Sequence, residues 1–191
     1  MEDYSKVFII SGPAGSGKDT IIAELKKLLP VTQVVNTTTR APRPGEMNGR
    51  PYYFVSRVRF EQDIAENKFI EYSTNENGER YGVTRGELER AANSNNTVIW
   101  QMDWKGVIAV KKLFPQITAF FISAPLSVME NRLRERDMAK GEAYFQERLN
   151  YAREWLNHTD IYDYTIENEQ DKLDEAVNKI ITIIRQKTSL A

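Results

Sequence analysis

Val7-Phe8-Ile9-Ile10-Ser11-Gly12-Pro13-Ala14-Gly15-Ser16-Gly17-Lys18-Asp19-Thr20 is the stretch that decides the fold. An apolar run, Val7 to Ile10, breaks into a glycine-rich loop and then into Ile21-Ile22-Ala23-Glu24-Leu25-Lys26-Lys27-Leu28-Leu29, whose apolar spacing predicts a helix. Strand, glycine loop and helix in that order form a phosphate cradle. Glycine lets successive backbone N–H groups converge on one anion, the helix turns its positive end to the same point, and Lys18 reaches the outer phosphates of a nucleoside triphosphate. The expected ligand is ATP or GTP. After such a lysine the common pattern carries Ser or Thr, whose hydroxyl sits on magnesium; here Asp19 follows, and Thr20 supplies a hydroxyl one residue later. Magnesium takes hard oxygen ligands, so Asp19, directly or through water, or Thr20 is expected at the ion.

Composition bounds the rest. The chain has 191 residues, 41% of them hydrophobic, enough for one domain with a real core. Lys plus Arg (26) nearly balance Asp plus Glu (27), so the overall field gives no case for nucleic-acid binding, and any anion site is a local cluster. Cysteine is absent and His158 is the only histidine, which excludes disulfides, thiolate metal sites and multi-imidazole zinc sites; His158 is expected to be structural or at the surface. Met1 to Lys6 is acidic without a secretory apolar core, and no apolar run approaches membrane-spanning length. The expectation is a cytoplasmic protein with no membrane partner.

Further apolar runs at Thr97 to Met102, Ile117 to Ile122 and Tyr164 to Ile166 alternate with helical patterns at Trp104 to Phe114, Leu126 to Arg136 and Asp171 to Lys187. That alternation predicts an α/β fold with a buried parallel sheet. Residues 36–84 differ: a proline-stiffened loop, Thr37 to Gly45, leads into alternating aromatic stretches around Tyr52 to Val55 and Lys68 to Tyr72, which predict a small inserted antiparallel or mixed sheet. Asn131 to Arg153 gathers Arg132, Arg134, Arg136, Arg148 and Arg153 around a polar stretch, as a helical lid would.

Phosphoryl transfer needs positioning, charge neutralisation and exclusion of water more than a protein nucleophile. Arginines closing over a triphosphate supply charge in a forked geometry. Taken alone, the lid pattern equally suits a solvated helix face with pairs such as Glu130 with Arg134 or Arg132 with Glu135. Arg40 and Arg43 form a second local anion site beside Tyr52 and Tyr53, and two phosphate sites imply two phosphorylated substrates. The tyrosines by themselves read as packing of the small sheet.

The segment Thr38-Thr39-Arg40-Ala41-Pro42-Arg43-Pro44-Gly45-Glu46, with Gly49, Tyr52 to Ser56, Phe69 to Tyr72 and Tyr81-Gly82, resembles guanylate kinase. Asp103 with Gly106-Val107, Arg132-Leu133, Arg148-Leu149 and Asn168 followed by Asp171 to Ala176 extend the likeness over nearly the whole chain. The resemblance implies a three-layer P-loop kinase core over about 1–35, 97–130 and 155–191, a GMP-binding region over about 36–96, and a lid over about 131–154. It also implies transfer of the terminal phosphate of ATP to GMP with Mg²⁺, by a monomer or homodimer. By resemblance, Arg40, Arg43, Tyr52 and Tyr81 hold the GMP phosphate; Glu71 and Asp103 accept hydrogen bonds from guanine N1 and N2; and Asn36 lies near O6. Gly12, Pro13, Ala14, Gly15, Ser16, Gly17, Lys18, Asp19 and Thr20 cradle ATP, Asn168 lies near its adenine, and Arg136 and Arg148 come down with the lid.

Four departures accompany the likeness. Asp19 replaces the family's serine, Val83 stands where a hydroxyl residue commonly helps the monophosphate, with Thr84 as a substitute, and Gln101 occupies a usually acidic position. The lid also lacks glycines beside Arg136. An aspartate after the lysine resembles ribose bisphosphate phosphokinase, so a sugar-phosphate kinase is the alternative, followed by a non-catalytic binding module on the same fold.

Overall fold

The computed structural model describes residues 4–75 and 78–189. β1 (Val7–Ser11) is buried along its whole length, as a central strand covered on both faces must be. The loop after it delivers the chain into α1 (Lys18–Leu28), which buries Ile21, Ile22 and Leu25 and stops short of Pro30. β2 (Val31–Gln33) is a three-residue strand that the sequence reading did not anticipate.

A second sheet follows. β3 (Asn36–Thr38) and β4 (Tyr52–Phe54) run parallel, α2 (Arg57–Ala65) packs beside them, and β5 (Phe69–Thr74) and β6 (Arg80–Thr84) run antiparallel. The order is β4-β3-β6-β5, so the small sheet is mixed rather than purely antiparallel, because the loop 39–51 returns β4 to the same end as β3. Its inner filling is aromatic: Phe60 stacks on Phe69 at 4.3 Å. α2 and α3 (Arg85–Ala92) were not apparent as separate helices in the alternating sequence; each begins on a hydroxyl cap, Ser56 for α2 and Thr84 for α3.

The chain then returns to the first sheet through β7 (Thr97–Gln101), α4 (Trp104–Leu113), β8 (Thr118–Ser123), α5 (Leu126–Asp137), α6 (Glu142–Trp155), β9 (Tyr164–Glu167) and α7 (Leu173–Ser189). This sheet is parallel throughout, in the order β2-β7-β1-β8-β9. Phe8 and Ile10 point to the face covered by α1 and α7, with Ile180 and Ile184, whereas Val7 and Ile9 point to the face covered by Leu88, Val107 and Val110. Burying each such aliphatic side chain contributes roughly 1.5–3 kcal/mol, so this double-sided core is what holds the strand ends rigid.

Between α5 and α6 the chain makes a single 3-10 turn, and Gly141 adopts φ 96° there. Leu133, Phe145 and Leu149 from the two helices pack with Ala14 of the glycine loop, so a small separate core rests the helical pair on the cradle. His158, just beyond, stacks on Trp104 at 3.7 Å, a structural role. Among the described residues no helix is long and apolar enough to cross a membrane.

Candidate active site

Open α/β sheets collect ligands at the carboxyl ends of their strands, and here those ends carry the singled-out residues. β1 releases the glycine loop, β7 ends at Gln101 just before Asp103, and β9 ends one residue before Asn168. Gly17, at φ 83°, is the residue on which α1 begins, and a Cβ there would collide with the Asn168 amide. That amide donates from Nδ2 to Ser16 O at 2.8 Å, which ties the loop to the far edge of the sheet. Ser16 Oγ is buried with no partner among the described residues, a polar atom left facing the cradle. Lys18 is half-buried. Loss of hydration holds its ammonium below the ordinary lysine value; Asp19 opposes that effect, while the Arg136 and Arg148 guanidiniums add to it. A cation so placed gains most when a phosphate arrives.

In front of the cradle opens a cavity of about 400 Å³ whose wall includes Lys18, Arg148, Tyr52, Tyr81, Glu71 and Asp103, with Asn36 and Gln101 beside them. The two carboxylates come from different sheets. Glu71 sits on β5 where Gly82 permits a close approach: a Cβ at Gly82 would lie 2.7 Å from Glu71 O. Burial, reinforced by the neighbouring Asp103 carboxylate, pushes Glu71 up to about 8. Asp103 has a second task as cap of α4, accepting from Gly106 N at 2.8 Å through Oδ1. Asn36 donates from Nδ2 to Gln101 O at 3.3 Å, while its Oδ1 is buried with no partner among the described residues.

The predicted residues do not all meet there. Arg40 lies behind the wall, its guanidinium 5.4 Å from the Tyr52 ring and held by both oxygens of Glu46 at 3.0 and 2.9 Å. Arg43 is exposed, offering its backbone N–H rather than its side chain to Glu46. Thr84 is also off the wall, because its hydroxyl accepts from Glu87 N as the cap of α3; Val83 is fully buried in the core. Arg136 is drawn aside by buried Asp137, which accepts from its Nη2 at 2.7 Å and from Lys140 at 3.0 Å, and the two cations hold that carboxyl at about 2. Gly12 and Ala14 line the cavity, and Ser16 N donates to Pro13 O at 3.3 Å across the turn at Ala14 and Gly15.

A second opening, about 640 Å³, lies on the other side of the loop and is lined by Gly17, Thr20, Arg132, Asn168 and Glu135. Arg132 was missed as a site residue. It donates from Nη1 to Gly15 O at 3.2 Å and reaches Asn168 O at 3.5 Å instead of pairing with Glu135. The available signal was its spacing one helical turn before Arg136, which places both on one face. Glu130 and Arg134 do pair, at 3.5 Å, on the solvated side.

Known proteins match this arrangement. A family model described as guanylate kinase matches residues 4–187. A guanylate kinase of Thiobacillus denitrificans is 36% identical over 181 residues, spanning 94% of this chain and 85% of that protein, and one of Escherichia coli O157:H7 is 35% identical over 183 residues, spanning 94% and 86%. The crystal structure of guanylate kinase from Anaplasma phagocytophilum superposes with a TM-score of 0.72 at 27% identity, covering 95% of this chain and 85% of that one. With the glycine-loop cradle and the paired carboxylates in one cavity, and with these likenesses running almost end to end, the chain belongs to the guanylate kinase family.

Proposed function

We propose that this chain transfers the terminal phosphoryl group of ATP to GMP, giving ADP and GDP, with the acceptor bound against residues of about 36–96 and the donor under a lid of about 131–154. The observation that carries the reading is that one cavity holds Lys18 and Arg148 together with Glu71 and Asp103. Cations at one end suit phosphates; two acceptors at the other suit guanine, whose N1–H and N2–H both donate, whereas adenine offers no such pair of donors. Neither alternative is favoured: the relatives that match almost end to end are guanylate kinases, and a non-catalytic module has no use for Lys18.

In this reading Glu71, once ionised, accepts from N1–H and Asp103 from N2–H, while Asn36 faces O6. Tyr52 and Tyr81 present hydroxyls to the acceptor phosphate and Arg40 backs them with charge. An oxygen of that phosphate attacks the γ-phosphorus, the bond to the β-bridging oxygen breaks, and ADP leaves. Lys18 and Arg148 hold the migrating group's charge, and Arg136 joins them when a phosphate displaces Asp137 from its guanidinium. Asn168 and Arg132 border the adenosine side. The donor set suits Mg²⁺: Asp19 and Thr20 offer hard oxygens at the start of α1, and no cluster of three acidic or imidazole ligands exists among the described residues. An ion bound there would complete its shell with phosphates and water, and it would neutralise charge on the triphosphate. A coupled assay of ADP release over GMP, dGMP, AMP, CMP, UMP and ribose bisphosphate tests the proposal. GMP-dependent turnover is expected, and folded protein that turns over ribose bisphosphate but not GMP would reject it.

A further inference from the structure

We propose that Gln101 positions Asp19 as a ligand of the divalent ion that accompanies the donor nucleotide. This rests on the function proposed above and adds to it a residue that acts through another.

Gln101 closes β7, and its main chain is fixed twice: it pairs beside Ile10 of β1, and its carbonyl accepts from Asn36 Nδ2. From that rigid base its side chain donates from Nε2 to Asp19 Oδ1 at 2.6 Å, a short hydrogen bond. Asp19 is exposed in the first turn of α1, so packing does not choose its rotamer. The amide does. Among the described residues no other hydrogen bond and no ion pair reaches the Asp19 carboxylate, which leaves Oδ2 as its open ligand atom. Its charge is nevertheless felt by Lys18, Tyr52 and Arg136, so it stands where cradle, acceptor cavity and lid meet.

The choice of an amide matters chemically. A lysine or arginine at this place would orient the carboxylate but neutralise it, and a hydrophobic residue would leave it free to swing into solvent. An amide donor orients it while leaving its charge intact. Because no group of three acidic or imidazole ligands gathers among the described residues, one oriented carboxylate is a large share of what the protein itself can offer a magnesium-like ion. Groups that orient a metal ligand typically affect affinity by about 10–100-fold.

Mn²⁺ serves as the probe, followed by paramagnetic resonance in a titration against the protein·ADP complex. Gln101→Met keeps the volume and removes the donor; Asp19→Asn removes the ligand charge. Both are expected to weaken Mn²⁺ binding by about tenfold, while ADP binding in the presence of a chelator is unchanged in Gln101→Met. The same variant should raise the Mg²⁺ concentration needed for half-maximal turnover, a defect that saturating Mg²⁺ overcomes and that a general loss of packing would not show. If Gln101→Met binds Mn²⁺ within about twofold of the parent while Asp19→Asn does not, the positioning role is wrong although the metal site stands. If both variants bind it as the parent does, the site itself is wrong. A parent protein that binds neither ADP nor GMP would instead overturn the proposed function.

Discussion

Glu71 and Asp103 turn two carboxylates into one cavity from two different sheets, and the first is held up to about 8 by burial and by the second. No described cation pairs with Glu71. The cations elsewhere on the cavity wall, Lys18 and Arg148, stand on α1 and α6, and burial raises the Tyr52 phenol above its ordinary value. Free protein near neutral pH therefore carries a proton on Glu71, and under the proposed function guanine, which needs an ionised acceptor for N1–H, must expel it.

GMP binding should accordingly release a proton and tighten with rising pH. Affinity is expected to improve by up to about tenfold per unit between about pH 6 and pH 8 and to level off above. Calorimetry in buffers of different ionisation enthalpy reads the released proton directly. A flat profile would mean that Glu71 is already ionised or does not meet the base.

The same group ties stability to pH with the opposite benefit. A carboxyl whose folded pKa is raised favours the fold most fully below its unfolded value, about 4.5, and that contribution is lost as pH rises towards about 8. Glu71→Gln, neutral at every pH, should melt higher than the parent at pH 8 and equal to it near pH 4. It should also lose about 10–100-fold in kcat/KM for GMP, since a buried donor on the base then faces a mixed amide. Melting curves and kinetics from one preparation check both signs.

Lys18 is half-buried and held below its ordinary pKa by loss of hydration, so the fold gains little from its charge. Lys18→Met should leave the melting temperature unchanged or higher while reducing kcat by about 10²–10³-fold or more. A variant that kept near-parental turnover would remove the phosphate cradle from the mechanism.

Thr84 and Arg40 separate a structural hydroxyl from a binding charge. Thr84→Ala loses the α3 cap and should cost about 1 kcal/mol of stability with the KM for GMP unchanged. Arg40→Ala removes the charge behind Tyr52 and Tyr81 and should raise that KM by about tenfold or more. Reversal of this pattern would return Thr84 to the phosphate site.

The parallel core was legible because Val7 to Ile10 and the runs at Thr97 and Ile117 are apolar on both faces, a pattern that a strand covered on one side does not need. β2 was not, because three half-buried residues carry no periodicity. The cradle and the paired carboxylates were legible for a different reason: each involves residue types whose chemistry is specific to one task. The Thr84 hydroxyl caps α3, and nothing in its sequence neighbours distinguishes that use from a phosphate contact. The contacts Gln101–Asp19, Arg40–Glu46 and Arg132–Gly15 were invisible for want of chirality or spacing rules linking a strand end, a loop or a lid helix to the glycine loop.

Asp137 offers the sharpest contrast with Glu71. It too is buried, but Arg136 and Lys140 hold its carboxyl at about 2, so its contribution to stability is present above the ordinary carboxylate value and disappears only as pH falls towards about 2. Across the range in which Glu71 titrates, the clamp on Arg136 does not change. Asp137→Asn should then free Arg136 and leave Lys140 unpaired. Because one buried carboxylate anchors both cations at the turn between α5 and α6, lid placement should loosen and kcat fall by about tenfold, with the GMP pH profile of Glu71 unshifted. Hydrogen exchange over residues 131–154, and kcat with kcat/KM for GMP measured from pH 6 to 9, check the two halves; a changed kcat/KM profile with an unloosened lid would show that Asp137 acts on the acceptor cavity instead.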